Sequence, residues 1–148
     1  MAALERTPEE VETSSRGVST QIQGLLEARG RVVEVVKSYI PEVTIYTIDC
    51  GDLKIKFDIH SKLLKLKQND EVSVVIGKEL PEFRRGVDFL AWGYVISLKR
   101  GESTYKMIIS LWGYIVIVET VRQDLLSGFN FMDKVYFKAA KSGTSVNT

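Results

Sequence analysis

The run YKMIISLWGYIVIVE, residues 105–119, is the most apolar stretch of the chain, and its reading decides the fold. It could be a membrane span, a buried helix or a pair of strands. Length removes the first. Only the twelve residues 107–118 are free of charge, and at ~1.5 Å of rise per residue they reach roughly 18 Å against a hydrocarbon core of ~30 Å. Composition removes the second, because the run is rich in Ile, Val, Tyr and Trp and carries a central glycine that costs ~1 kcal/mol in a helix. Strands remain. Gly113 divides the run into residues 106–112 and 114–121, two segments of ordinary strand length joined at a bend or bulge.

The same alternation extends outward from this run. In LKIKFDIH, Leu53, Ile55, Phe57 and Ile59 face one way and Lys54, Lys56, Asp58 and His60 the other, which is a half-buried strand. RVVEVVKSY and PEVTIYTIDCGD precede it, with Cys50-Gly51-Asp52 as a tight turn, and EVSVVIGKEL follows, with Gly77 as a bulge marker. PEFRRGVD reads as a loop, FLAWGYVISLKRG as a strand, and Lys99-Arg100-Gly101-Glu102 as the turn into the opening run. RQDLLSGF contains a helical turn stopped by Gly128, and DKVYFKAAK is the last strand.

About eight short strands with no long amphipathic helix predict an all-β antiparallel barrel, with Gly93 and Gly113 serving bulges or corners. Residues 31–141 form this domain. Residues 1–30 form an N-terminal extension, partly helical or disordered: Thr7, Pro8 and Glu10 make a helix start signal, and Ile22, Leu25 and Leu26 a short apolar stripe ending at Gly30. Residues 142–148 form a solvated tail.

At 148 residues the chain can bury a full core without staples, and 45% hydrophobic with 26% charged residues excludes global disorder. A formal net charge of +1 argues against strong non-specific binding to a phosphate backbone. The single cysteine, Cys50, cannot form an internal disulfide, and the first residues lack the apolar segment of a signal peptide. An intracellular, cytoplasmic protein with no membrane partner is expected.

The inventory holds little chemistry. One Cys and one His, Cys50 and His60, cannot build structural zinc, and His60 falls on the Lys-bearing face of its strand, where no catalytic triad is indicated. Gly77-Lys78 lacks the rest of a Walker motif, and Asp49 and Asp52 flank a turn as Asp commonly does. No cofactor, metal site or catalytic residue is expected. A binding role is open: Lys54, Lys56, Lys62 and Lys65, with Arg84 and Arg85, could track single-stranded nucleic acid, although aromatic stacking partners are missing from the Lys54 and Lys56 face.

The last sixty residues go further. Trp92-Gly93-Tyr94 in one strand, Leu111-Trp112-Gly113 ending a second, and Asp133-Lys134-Val135-Tyr136-Phe137 in the closing strand resemble the small eighth, or G-type, subunit of archaeal and eukaryotic DNA-directed RNA polymerases. PEFRRG stands where eukaryotic members carry a long acidic insertion, which favours an archaeal member. The resemblance implies a barrel of the oligonucleotide/oligosaccharide-binding type. It also implies a non-catalytic, peripheral subunit docked on the largest polymerase subunit, which meets DNA and RNA only through the complex. Trp92, Gly93, Tyr94, Trp112, Gly113, Tyr114, Asp133 and Tyr136 are the interface residues it suggests.

Overall fold

Alternating apolar and polar side chains favour strands, and in the computed structural model, which describes residues 17–142, they form nine. These are Gly17–Ile22 (β1), Leu25–Lys37 (β2), Val43–Asp49 (β3), Leu53–His60 (β4), Glu71–Gly77 (β5), Phe89–Arg100 (β6), Tyr105–Leu111 (β7), Tyr114–Thr120 (β8) and Lys134–Lys141 (β9). The start signal at Thr7, Pro8 and Glu10 and residues 143–148 of the tail lie outside the described residues.

Every pairing is antiparallel, and the order β2-β3-β4-β8-β7-β6-β9-β5 returns to β2, closing an eight-stranded barrel. Closure leaves no free edge around the ring where each strand is paired on both sides. β2 makes it possible by its length of 13 residues: Leu25 to Arg31 pair with β5, and Arg31 to Lys37 pair with β3. β1 stands outside the ring, hydrogen-bonded to the first half of β2.

The apolar stripe at Ile22, Leu25 and Leu26 is therefore not helical. It forms a β-hairpin turning at Gln23 and Gly24, and the barrel begins at Leu25 rather than at Arg31. The reason lies in the phase. Leu26, Ala28 and Val32 are buried while Arg29 is exposed, a strand alternation that pairing on both edges enforces over the local helical tendency.

Two glycine expectations are also corrected. Gly77 keeps an unbroken register with both β2 and β9, and the bulges fall at Val18/Thr20, Val32/Glu34 and Val95/Ser97 instead. Gly93 likewise sits in register; it is small because a Cβ there would collide with the Ser110 carbonyl of β7. The turn expected at Lys99 begins later, since β6 continues through Arg100, which pairs with Tyr105.

Phe57 and Phe137 meet edge-on at the centre of the core with ring centroids 5.2 Å apart, and Tyr46 and Phe89 flank them. The Tyr46 hydroxyl donates to the Leu64 carbonyl (3.3 Å) and accepts from the Leu66 amide (3.2 Å), fastening the loop after β4 to the barrel. Leu64 and Leu66 are buried there, whereas Leu63 is 56% exposed. The helical turn expected near Gly128 is a 3-10 turn, Gln123–Leu126, whose Leu125 and Leu126 are buried at one end of the barrel.

Candidate functional site: an aromatic docking face

Because side chains alternate along a strand, an inward Gly93 sends both Trp92 and Tyr94 outward from β6. On neighbouring β9, Tyr136 pairs with Trp92 and Lys134 with Tyr94, so four long side chains share one outer patch. Trp112 joins them from the β7–β8 hairpin. That hairpin has a two-residue loop, closed by the Leu111–Tyr114 pair, whose central residues Trp112 and Gly113 have φ of 57° and 118°. Positive φ at both positions matches the right-handed twist of the flanking strands, and Asn or Gly is the usual occupant of the first. A tryptophan there is costly, by ~1–2 kcal/mol.

The rings interlock edge to face. Trp92 and Trp112 have centroids 5.0 Å apart at 82°, Trp92 and Tyr94 5.9 Å at 78°, and Tyr94 and Trp112 6.3 Å at 70°. Such pairs contribute about 0.5–1.5 kcal/mol each and hold the rings in fixed orientations. The Lys134 ammonium lies 4.4 Å from the Trp92 centroid and 5.4 Å from that of Tyr136, and it forms no ion pair with a described residue. The patch is thus rigid, aromatic and positively charged at one edge.

None of Trp92, Tyr94, Trp112 and Tyr136 belongs to the core, although alternation around a glycine bend would assign half of them to it. Trp112 is 68% and Trp92 36% exposed. Tyr114 is different: it packs against the core. Asp133 is held in the turn before β9, accepting the Asn130 amide (2.7 Å) and pairing with Lys78 (3.1 Å). Those two contacts, the amide first, hold its carboxyl below the usual carboxylate range against the opposing effect of burial.

Lys134 was the residue missed; its position two before Tyr136 on the same strand was the available signal. The six cations considered for nucleic acid are spread over one strand and two loops. Lys54 and Lys56 stand on the outer face of β4, Lys62 and Lys65 lie in the loop after it, and Arg84 and Arg85 lie in the β5–β6 loop, where Arg84 is paired with Asp88 at 2.9 Å. His60 sits beside Glu42, 3.4 Å away, and accepts the Lys62 amide. Cys50 is buried, and its thiol is pushed up to about 12 by that burial and by Asp49. Among the described residues no three His, Cys, Asp or Glu side chains gather as metal ligands, and no helix is long and apolar enough to cross a membrane.

Barrel and patch together make a rigid scaffold with a fixed aromatic face. Over residues 25–142 the chain matches the RpbG family, the G-type subunits of DNA-directed RNA polymerase, and it belongs to that family. It is 31% identical over 122 residues to DNA-directed RNA polymerase subunit Rpo8 of Sulfolobus acidocaldarius, covering 79% of this chain and 98% of the relative. It is 28% identical over 116 residues to the subunit Rpo8 of Saccharolobus solfataricus, covering 73% and 86% respectively. Among solved structures, the cytoplasmic molybdate-binding protein ModG aligns with a TM-score of 0.32 and 16% identity, over 79% of this chain and 90% of that one, a likeness too slight to inform function. The chain is thus a peripheral subunit of archaeal type in the DNA-directed RNA polymerase, a nucleotidyltransferase complex.

Proposed function

We propose that this subunit docks on the largest subunit of the polymerase, in the cytoplasm, through the face built from Trp92, Tyr94, Trp112, Lys134 and Tyr136, and that it supports assembly of the enzyme. The observation that carries the reading is Trp112, 68% exposed and held at a φ of 57°. A left-handed tryptophan costs backbone energy while leaving most of its indole in water, a combination that folding does not reward. Burial against a partner does reward it, since tryptophan, tyrosine and arginine supply most interface anchor energy and preorganised rings lose little entropy on docking.

The test is affinity capture of the tagged full chain from its native extract, wild type beside Trp92→Ala/Trp112→Ala. Recovery of the largest subunit with wild type and its loss with the double variant supports the reading. Equal recovery of the polymerase by both proteins removes this face from the interface.

A further inference from the structure

A second surface lies along β2. Arg31 is paired on both sides, with Asp49 of β3 on one and Glu71 of β5 on the other, but from there β5 stops while β3 continues beside β2 to Lys37. The loop after β4 covers the next two residues. The Val32 amide donates to the Asp70 carbonyl (2.9 Å), the Val32 carbonyl accepts from the Asn69 amide (2.8 Å), and the Val33 carbonyl accepts from the Gln68 side chain (3.1 Å). From Glu34 to Lys37, nothing among the described residues pairs with the side of β2 that faces away from β3. Alternate residues of an antiparallel strand turn their N–H and C=O groups away from the neighbour, so half of this segment presents unpaired groups at an open edge.

The side chains along the edge are apolar on both faces. Val35 stands opposite the inward Tyr46 and Val36 opposite Ile45 on the outer face, yet both are exposed, at 39% and 43%. Val33, in the bulge, is exposed as well, and Tyr39 and Ile40 carry the apolar surface over the hairpin tip. Edges are ordinarily guarded by charges, a proline or a bulge. Here the bulge at Val32/Glu34 precedes the edge, and the register from Glu34 to Lys37 is regular, so a further strand can add to it.

Charge narrows the occupant. Leu64 and Leu66 are buried beside this hairpin through the Tyr46 hydroxyl, so Lys65 and Lys67, which alternate with them, are exposed. Neither they nor Lys37 is ion-paired to a described residue. The acids nearby are engaged: Asp70 with Lys141 (3.4 Å), Glu71 with Arg31 (3.7 Å) and Glu42 beside His60, while Glu34 accepts the Thr47 hydroxyl on the outer face. An extended segment with carboxylates is therefore complementary. A second copy of the chain is not, because two-fold pairing centred on Val35 or Val36 sets Lys37 against a valine and brings both sets of lysines together.

We infer that an acidic, extended segment of a neighbouring polypeptide in the assembled polymerase adds as a strand to β2 along Glu34–Lys37. Its apolar residues cover Val35 and Val36, and its carboxylates meet Lys37, Lys65 and Lys67. This edge belongs to β2, whereas the aromatic face belongs to β6, β9 and the β7–β8 turn, so the two contacts can be read separately.

The test compares amide hydrogen exchange of the free full chain with that of the chain in the purified polymerase, fragmented to single residues. Exchange slowed at least ~10-fold at alternate amides of Glu34–Lys37 on assembly, and unchanged by nuclease digestion, supports strand addition. In Lys37→Glu/Lys65→Glu/Lys67→Glu, whose substituted residues are exposed and whose thermal midpoint shows that it is folded, the slowing should be lost or incorporation should fail. Unslowed edge amides in the polymerase overturn the inference, as does slowing that nuclease removes, that the free chain reproduces at high concentration, or that survives the three charge reversals. Residues 92–94 and 112 report on the aromatic face in the same data, so slowing there with none at the edge leaves the docking reading intact, and the converse removes that reading alone.

Discussion

The Trp112 ring stands nearly perpendicular to that of Trp92, at 82° and 5.0 Å between centroids, although Trp92 belongs to β6 and Trp112, which is left-handed, to the turn between β7 and β8. The turn and the β6 surface are therefore fitted to one another, and the pairing separates what tryptophan does for the fold from what it does for a partner.

Trp112→Asn tests that separation. Asparagine tolerates positive φ at the first position of this turn and recovers ~1 kcal/mol of strain, while about as much is lost from the ring contacts. The free subunit should keep its urea stability to within about 1 kcal/mol, and capture of the polymerase should fall at least ~10-fold. A large loss of stability would assign Trp112 to the fold instead.

Gly93→Ala should fail for the opposite reason. Its Cβ would meet the Ser110 carbonyl, a backbone atom that cannot rotate away, so β6 and β7 must separate. A loss of about 3 kcal/mol is expected from the urea midpoint, at the upper end for overpacking. A neutral outcome would mean that the two strands can part cheaply.

Tyr46→Phe removes a hydroxyl that serves both the Leu64 carbonyl and the Leu66 amide inside the loop after β4. Leaving those two groups without their partner should cost about 2 kcal/mol. Amide exchange at Leu66 should quicken more than exchange in the β7–β8 hairpin, and uniform quickening would show that the hydroxyl does not act locally.

The strand elements were legible wherever alternation was strict. LKIKFDIH and the divided run 105–119 were found within a residue of their ends, because one face of each is core and the other is water. β1 and the start of β2 were not, because Leu25 and Leu26 are adjacent and read equally well as a helical stripe; only pairing with β5 decides between them. At the site, the three aromatic motifs were visible but their direction was not. It follows from Gly93, which faces β7 and so turns both its neighbours outward.

Acid stability should report on Asp133. Its carboxyl is held below the ordinary range by the Asn130 amide and the Lys78 ammonium, so the folded state favours the ionised form more than the unfolded chain does. A depressed folded pKa contributes stability that is complete above the unfolded value of ~3.9 and is lost as pH falls through the folded value. Asp133→Asn can still accept the Asn130 amide but cannot pair with Lys78, and it carries no charge to lose. Wild type should therefore be the more stable at neutral pH, and the gap in thermal midpoint should close progressively below about pH 4. Carboxylates elsewhere titrate in both proteins and largely cancel in the difference, so a gap that stays constant to pH 2 would mean that the Asp133 charge adds nothing to the turn before β9.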